Sequence, residues 1–276
     1  VFTMTEQVET GRLSDAQYRS VCETVYRISG IDLSRGKEDL VNARLAKRVR
    51  ALKMCSFSEY LRFVSTDQGR DELRCMVDAL TTNKTSFFRE NNHFEFMRTH
   101  ILPVVGRDGV TIWSAGCSTG QEPYTISIVL QECMESSALT RSRILATDIS
   151  ARCLAEARRG WYDAEDVSEV PKTLLARYFV KTRLDGRDGY RVRECIASRV
   201  SFAMLNLMDP WPMRDGFDVI FCRNVMIYFD KETQGRLVRR FWEILKPGGY
   251  LCIGHSESLV SVQSGFSYVQ PALYRK

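Results

Sequence analysis

The sequence lacks any apolar run approaching the roughly 20 residues that a membrane-crossing helix needs, and its start shows no signal-peptide order of charged, apolar and small residues. Both absences point to a cytoplasmic protein with no direct membrane insertion. Histidine is scarce: His93, His100 and His255 show no metal-ligand spacing, so no metal is assigned. Cysteine is plentiful but unpaired in pattern, with nine residues, an odd number, spread widely and no Cys-x-x-Cys. These read as reduced thiols, in keeping with a cytoplasm. Charge imbalance is also missing, because a net charge of +5 with 26% charged residues is too mild to imply nucleic acid or membrane by itself. Internal repeats and low-complexity stretches are absent. The chain opens on Val1 rather than Met, as a fragment would, and its first residues carry no pattern.

What is present is enough for a core: 276 residues suggest about two domains, and 44% are hydrophobic. From Leu13 to about Met76 glycine and proline almost vanish and apolar residues recur at helical intervals, broken near Gly30-Ile31-Asp32 and Ser56-Phe57-Ser58. This predicts a small helical domain, taken with its linker as residues 13–90. Between Gly36 and Met54, Val41, Leu45, Val49 and Leu52 form one apolar stripe, while Arg44, Lys47 and Arg50 project from the other side. That basic face is either simply solvated or a docking surface for an acidic partner.

The stretch Leu80-Thr81-Thr82-Asn83-Lys84-Thr85-Ser86-Phe87-Phe88-Arg89-Glu90 is dense in small hydrogen-bonding side chains and closes on two aromatics and an arginine. It could cap a helix beginning near Asn91 with its phenylalanines in the core. It could equally line a ligand site, with Asn83, Thr85 and Arg89 presenting polar groups beside water-excluding rings.

From Val110 the pattern alternates strand and helix, which predicts an α/β domain over 91–276. Val110–Ser114 reads as its first strand, followed by Ala115-Gly116-Cys117-Ser118-Thr119-Gly120-Gln121-Glu122-Pro123-Tyr124. Gly116 and Gly120 permit backbone angles closed to other residues, and Pro123 suits a first helical turn. The loop is either an ordinary βα turn or a nucleotide-type site. The second strand, 143–147, ends on Asp148, where nucleotide-binding α/β folds place the ribose ligand. The spacing from Gly116 to Asp148 and the lack of Gly-x-Gly-x-x-Gly make NAD a poor fit. Residues 161–199 interrupt the alternation with short β-prone pieces and turns at Gly186 and Gly189, which predicts a β insertion. Strands at Val200–Met204 and Phe217–Phe221 follow, ending near Asn206 and on Cys222-Arg223-Asn224. Asp148, Asn206 and Arg223 are therefore expected on one crevice at the carboxyl ends of the strands. A helix from Lys231 to Leu245, stopped by Pro247-Gly248-Gly249, and strands at 250–254 and within 266–274 complete the sheet, with an antiparallel end.

The segments Thr82–Arg89, Trp113–Tyr124, Phe221-Cys222-Arg223-Asn224-Val225-Met226-Ile227-Tyr228-Phe229-Asp230 and Leu245–Tyr250 resemble, in order and spacing, the CheR family of chemotaxis receptor methyltransferases. The resemblance spans nearly the whole chain. It implies a small N-terminal helical domain followed by a Rossmann-like class I S-adenosylmethionine-dependent methyltransferase sheet with a small antiparallel β insertion. It implies transfer of methyl from S-adenosylmethionine, leaving S-adenosylhomocysteine, to glutamates on the cytoplasmic helices of chemoreceptors. It places cofactor contacts at Asn83, Thr85, Arg89, Glu122, Asp148, Asn206, Leu207, Cys222 and Arg223, with Gly116 under the methionine portion. Arg89 and Tyr228 fall beside the transferred methyl group, as candidates for steering the substrate carboxylate. Read as structure alone, Arg89 is a surface ion pair and Tyr228 a core aromatic. The basic face of Arg44, Lys47 and Arg50 would meet the acidic receptor helices, and some family members also hold a receptor's C-terminal peptide through the β insertion.

The chemistry agrees with the lack of a catalytic histidine or cysteine arrangement. A glutamate with a pKa of about 4.3 is already ionised at neutral pH and needs no general base. A water-poor pocket, for which Phe87, Phe88 and Tyr228 are candidates, and in-line placement are what remain to be supplied. Two rivals stay open. A nucleic-acid methyltransferase would share the sheet, but no Asn-Pro-Pro-Tyr-like segment follows 217–221 and Cys222 lacks a preceding proline. A non-catalytic cofactor-binding receptor module would not need Arg89 and Tyr228.

Overall fold

The computed structural model describes residues 11–33, 36–214, 216–260, 262 and 264–276. Contacts divide the chain after Thr82 into a helical unit and an α/β unit. Residues 83–90 group with the α/β unit.

The helical unit holds α1 (Asp15–Ser29), α2 (Glu38–Ala51), α3 (Phe57–Val64) and α4 (Arg70–Leu80). Local signals set their ends. Ser14 and Gln17 form a reciprocal capping box before α1, Gly30 closes it at φ 73°, and Ser56 caps α3. In α2, Val41, Leu45 and Val49 are fully buried at four-residue spacing. Leu52 leaves the predicted stripe: the helix ends at Ala51, and Leu52 is 37% exposed. Beside the stripe, Arg48 grips Glu72 through Nε (2.9 Å) and Nη2 (2.6 Å), and the Tyr60 hydroxyl donates to the same carboxylate at 2.8 Å. Arg44 turns inward, donating to the Thr81 carbonyl (2.7 Å) and Thr82 Oγ1 (3.3 Å), so it satisfies the C-terminal end of α4. Lys47 and Arg50 remain exposed.

The α/β unit opens with α5 (Asn92–Phe96), a π turn over Met97–Ile101 and α6 (Leu102–Val105). Its strands are β1 (Thr111–Ala115), β2 (Arg143–Asp148), β3 (Trp161–Tyr162), β4 (Phe179–Leu184), β5 (Arg187–Val192), β6 (Val200–Met204), β7 (Phe217–Cys222), β8 (Leu245–Ile253), β9 (Ser267–Gln270) and β10 (Leu273–Arg275). The remaining helices are α7 (Gln121–Cys133), α8 (Ser136–Arg141), α9 (Ala151–Arg159), α10 (Lys172–Tyr178), α11 (Glu194–Ala197) and α12 (Lys231–Ile244). Seven strands form one sheet in the order β6-β2-β1-β7-β8-β10-β9, and β3-β5-β4 form a small antiparallel sheet. The large sheet is parallel from β6 to β8, and β10 runs antiparallel to both β8 and β9.

All six residues of β7 are buried, as expected of a strand between two others. Asp218 is tolerated there because Lys246 Nζ (2.9 Å) and the Thr111 N–H (2.8 Å) both donate to it. Strand β8 starts earlier than the sequence predicts. Leu245 already pairs with Phe217, and a register shift carries the chain past Pro247-Gly248 to resume at Tyr250 with Val219. After β6 the chain crosses over β2 and β1 to β7, so the strand order reverses between β1 and β7. The crevice beyond their carboxyl ends is where this architecture binds ligands.

Candidate active site

The loop after β1 folds onto the end of β2. Gly116 and Cys117 both donate to the Thr147 carbonyl, at 2.8 and 2.9 Å, and Ser118, itself left-handed at φ 50°, donates its N–H to Asp148 Oδ2 at 2.8 Å. Ser150 N–H donates to Asp148 Oδ1 at 2.9 Å, so the carboxylate is fixed at the strand end. Ser118 Oγ donates to the Asn83 carbonyl at 2.7 Å, drawing the stretch before Arg89 to this loop. Gly116 is required by space as well as by its φ of 87°: a Cβ there would lie 2.5 Å from Val225 Cγ2, in the segment that follows β7.

That segment carries Arg223, whose side chain is 2% exposed. Its Nη1 reaches Glu122 Oε2 and its Nη2 reaches Glu90 Oε2, each at 3.1 Å, and Nη2 also donates to the Arg89 carbonyl. Ser114 Oγ holds Glu122 at 2.7 Å, and Asn224 Nδ2 reaches Glu90 at 3.3 Å. Burial pushes the Glu122 carboxyl up against the pull of Arg223. Burial acts the same way on Glu90, yet there Arg223, Asn224 and the His255 N–H together bring its carboxyl below the ordinary range. With both carboxylates ionised, one guanidinium between them leaves one negative charge. Arg223 Nε is buried and has no acceptor among the described residues. The cluster therefore offers spare anionic charge to a cation and a spare donor to an anion, which is a match for an amino-acid head group.

The expected site residues differ in what they present. Gly116, Glu122, Asp148 and Arg223 come together around the β1–β7 crevice, with Asn83 tied to it through Ser118. Thr85 is half-buried, and Asn206 sits in a turn that accepts from the Met208 N–H at 3.1 Å, beside a buried Leu207. Cys222 is fully buried, and burial pushes its thiol well up. Arg89 makes no ion pair among the described residues; it is half-buried and donates to the Lys84 carbonyl at 2.9 Å. Tyr228 is half-buried rather than core. Of the two phenylalanines, Phe87 is a core residue, fully buried with edge-on contacts to Tyr162 (4.9 Å) and Phe179 (5.4 Å). Phe88 is half-buried and left-handed at φ 56°.

Glu90 is the residue that the sequence reading left without a role. No local signal marked it, because its partners Arg223 and Asn224 lie 133 and 134 positions further along the chain. Two of the three scattered histidines also converge, since the donor atoms of Glu90, His93 and His255 lie within 4.8 Å of one another. Arg223 Nη2 sits 3.1 Å from Glu90 Oε2, and the His255 N–H donates to the same oxygen at 3.2 Å. A positive neighbour at that distance opposes metal binding. All nine cysteines are free thiols. No helix among the described residues is long and apolar enough to cross a membrane.

Strand order, glycine loop, acidic β2 end and the amino-acid-type cluster define the class: a Rossmann-like S-adenosylmethionine-dependent methyltransferase. Comparison with known proteins narrows it. Residues 83–274 match the family model "CheR methyltransferase, SAM binding domain" and residues 16–81 match "CheR methyltransferase, all-alpha domain". The chemotaxis protein methyltransferase of Borreliella burgdorferi is 40% identical over 261 residues, covering 91% of each chain. That of Escherichia coli is 38% identical over 272 residues, covering 98% of this chain and 93% of the other. A probable chemotaxis protein methyltransferase of Rhizobium etli is 43% identical over 238 residues, covering 84% and 89%. The chain belongs to the CheR methyltransferase family.

Proposed function

We propose that this enzyme methylates glutamate side chains on the cytoplasmic helices of chemoreceptors, forming methyl esters for sensory adaptation. The observation that carries the reading is the Glu90–Arg223–Glu122 cluster, with its surplus negative charge and unmatched Arg223 Nε. S-adenosylmethionine, when bound, supplies a methyl group on positively charged sulfur. Glu122 and Arg223 would hold the ammonium and carboxylate of its amino-acid portion, and Asp148 would accept from the ribose hydroxyls. Gly116 keeps the loop close to the chain after β7, and Asn83, Thr85, Asn206, Leu207 and Cys222 belong to the walls of the same site in this reading.

Arg89 and Tyr228 orient the substrate carboxylate. An ionised glutamate needs only placement and exclusion of water, so a half-buried guanidinium and phenol suffice where a base would be idle. Only the pyrimidine-C5 form of the nucleic-acid reading needs a cysteine nucleophile, and Cys222, the candidate for it, is fully buried. On the helical unit, Lys47 and Arg50 are the charges available to acidic receptor helices, whereas Arg44 serves α4. The small sheet would hold a receptor's C-terminal peptide as an added strand, a role supported by β4 lying at the edge of the order β3-β5-β4.

Incubation with methyl-labelled S-adenosylmethionine and either receptor cytoplasmic fragments or RNA tests the proposal. Base-labile label on the receptor supports it; label on RNA, or no transfer to either, overturns it.

A further inference from the structure

The segment 223–228 carries two of the proposed functional side chains on little regular structure, a single 3-10 turn over Met226–Tyr228. Asn224 is left-handed at φ 58°, a conformation that leaves its neighbouring N–H groups to be satisfied from outside. They are satisfied by one side chain. Glu257 Oε2 accepts from the Asn224 N–H at 3.0 Å, and Oε1 accepts from the Ile227 N–H at 3.0 Å. The same carboxylate accepts from the Gly254 N–H, while the Glu257 N–H closes a turn back onto the Gly254 carbonyl at 2.9 Å. The loops after β7 and β8 are thus joined through one carboxylate.

Their backbones touch as well. A Cβ on Gly254 would lie 2.5 Å from Asn224 Nδ2 and 2.8 Å from Asn224 N, so only glycine fits opposite Asn224. On the other side the segment is stopped by Gly116 against Val225. Glu257 is half-buried; burial raises its carboxyl above the ordinary range, and the backbone N–H groups that converge on it offset only part of that rise. Arg223 has its own anchors in Glu90 and Glu122. Glu257 therefore bears on the residues after Arg223, and above all on Tyr228, whose N–H closes the turn onto the Val225 carbonyl at 3.2 Å.

We infer that Glu257 is a positioning residue for methyl transfer, clamping the main chain at Asn224 and Ile227 so that Tyr228 stands at a fixed place beside the reacting groups. The inference rests on the reading of Tyr228 given above. Only an ionised carboxylate offers enough lone pairs for three N–H groups; an amide of the same size turns an NH2 toward at least one of them.

The test compares Glu257→Gln and Glu257→Asp with the unaltered chain, by amide hydrogen exchange over 223–228, cofactor affinity by calorimetry, and turnover on receptor fragments. Glu257→Gln is expected to speed exchange across 223–228 and to lower kcat about 100-fold, the scale of a misplacement near 1 Å. Cofactor affinity should change less than about threefold, because Arg223 keeps its partners. Glu257→Asp, which keeps the charge on a shorter arm, should recover part of kcat. Unchanged exchange in Glu257→Gln, or a kcat loss matched by an equal loss of cofactor affinity, overturns the inference. Exchange is read without substrate, so it decides the clamp even if receptor methylation itself fails in the unaltered chain.

Discussion

Arg223 and Glu122 stand 101 positions apart in the chain and meet at 3.1 Å, with side chains 2% and 11% exposed. The guanidinium ends β7, the carboxylate opens α7, and the pair spans the point where the strand order reverses. With Glu90 added, the pair carries the excess negative charge on which the cofactor assignment rests. Replacing Glu122 by Gln should therefore weaken S-adenosylmethionine binding by ~10-fold or more, since one charge-assisted contact is worth ~1.5–3 kcal/mol. Replacing Arg223 by Met leaves two buried carboxylates facing each other and should lower unfolding free energy by ~3–5 kcal/mol. Calorimetry and urea unfolding measure the two effects; a Glu122→Gln enzyme that binds normally removes the head-group assignment.

Asp148 is fixed by two backbone N–H groups, from Ser118 and Ser150. If it also serves the ribose, Asp148→Ala should cut affinity for S-adenosylhomocysteine by ~10-fold or more, by loss of hydrogen bonds to an ionised acceptor. An analogue lacking both ribose hydroxyls should bind the two proteins within a few-fold of each other. Equal losses for both ligands would mean that Asp148 acts only by shaping the loop.

Gly116 and Val225 are in contact across the site. Gly116→Ala sets a methyl group 2.5 Å from Val225 Cγ2 and adds strain at φ 87°, so it should destabilise the fold and weaken cofactor binding. Adding Val225→Ala removes the clash but not the backbone strain. The double variant should thus recover part of the loss, leaving ~1–3 kcal/mol. Full additivity in denaturant unfolding would show that the two residues do not interact.

His93 is buried, and burial, with Arg223 beside it, lowers its pKa from the usual 6.5 to about 4. In the folded chain it stays neutral between those values, while the unfolded chain takes up a proton. Stability from this group is therefore full above about pH 6.5 and is lost as pH falls towards 4, by about 3 kcal/mol at most. Glu90, whose carboxyl is held low, acts in the same direction at the acid end. His93→Gln should flatten the fall in unfolding free energy between pH 7 and 5. An unchanged slope in the variant would assign the pH dependence elsewhere.

The basic face of α2 divides into two kinds of residue. Lys47→Glu with Arg50→Glu should leave the unfolding midpoint nearly unchanged and raise KM for receptor fragments, more so at low salt. Arg44→Glu should lower stability, since it breaks the contacts to Thr81 and Thr82. A double reversal that leaves KM untouched would remove α2 from receptor docking.

The sequence by itself determined most of the architecture. Capping residues such as Ser14, Ser150 and Asp230 start their helices, because a side-chain oxygen within three residues of an unpaired N–H acts locally. Alternation of strands with helices fixed a largely parallel sheet, and Asp148 was legible as a strand-end acid because strand length and the following helix start are short-range features. Its long motifs carried the family. Tertiary structure decided what depends on partners far away in the chain. Leu52 and Arg44 looked like members of an apolar stripe and a basic face, yet the end of α2 exposes the first and the end of α4 claims the second. Phe87 went to the core while Phe88, its neighbour, did not. Glu90, His93 and Glu257 gained their surroundings only when the ends of β7 and β8 met the turn before α5, since pairing across more than thirty residues leaves no periodic trace in the sequence.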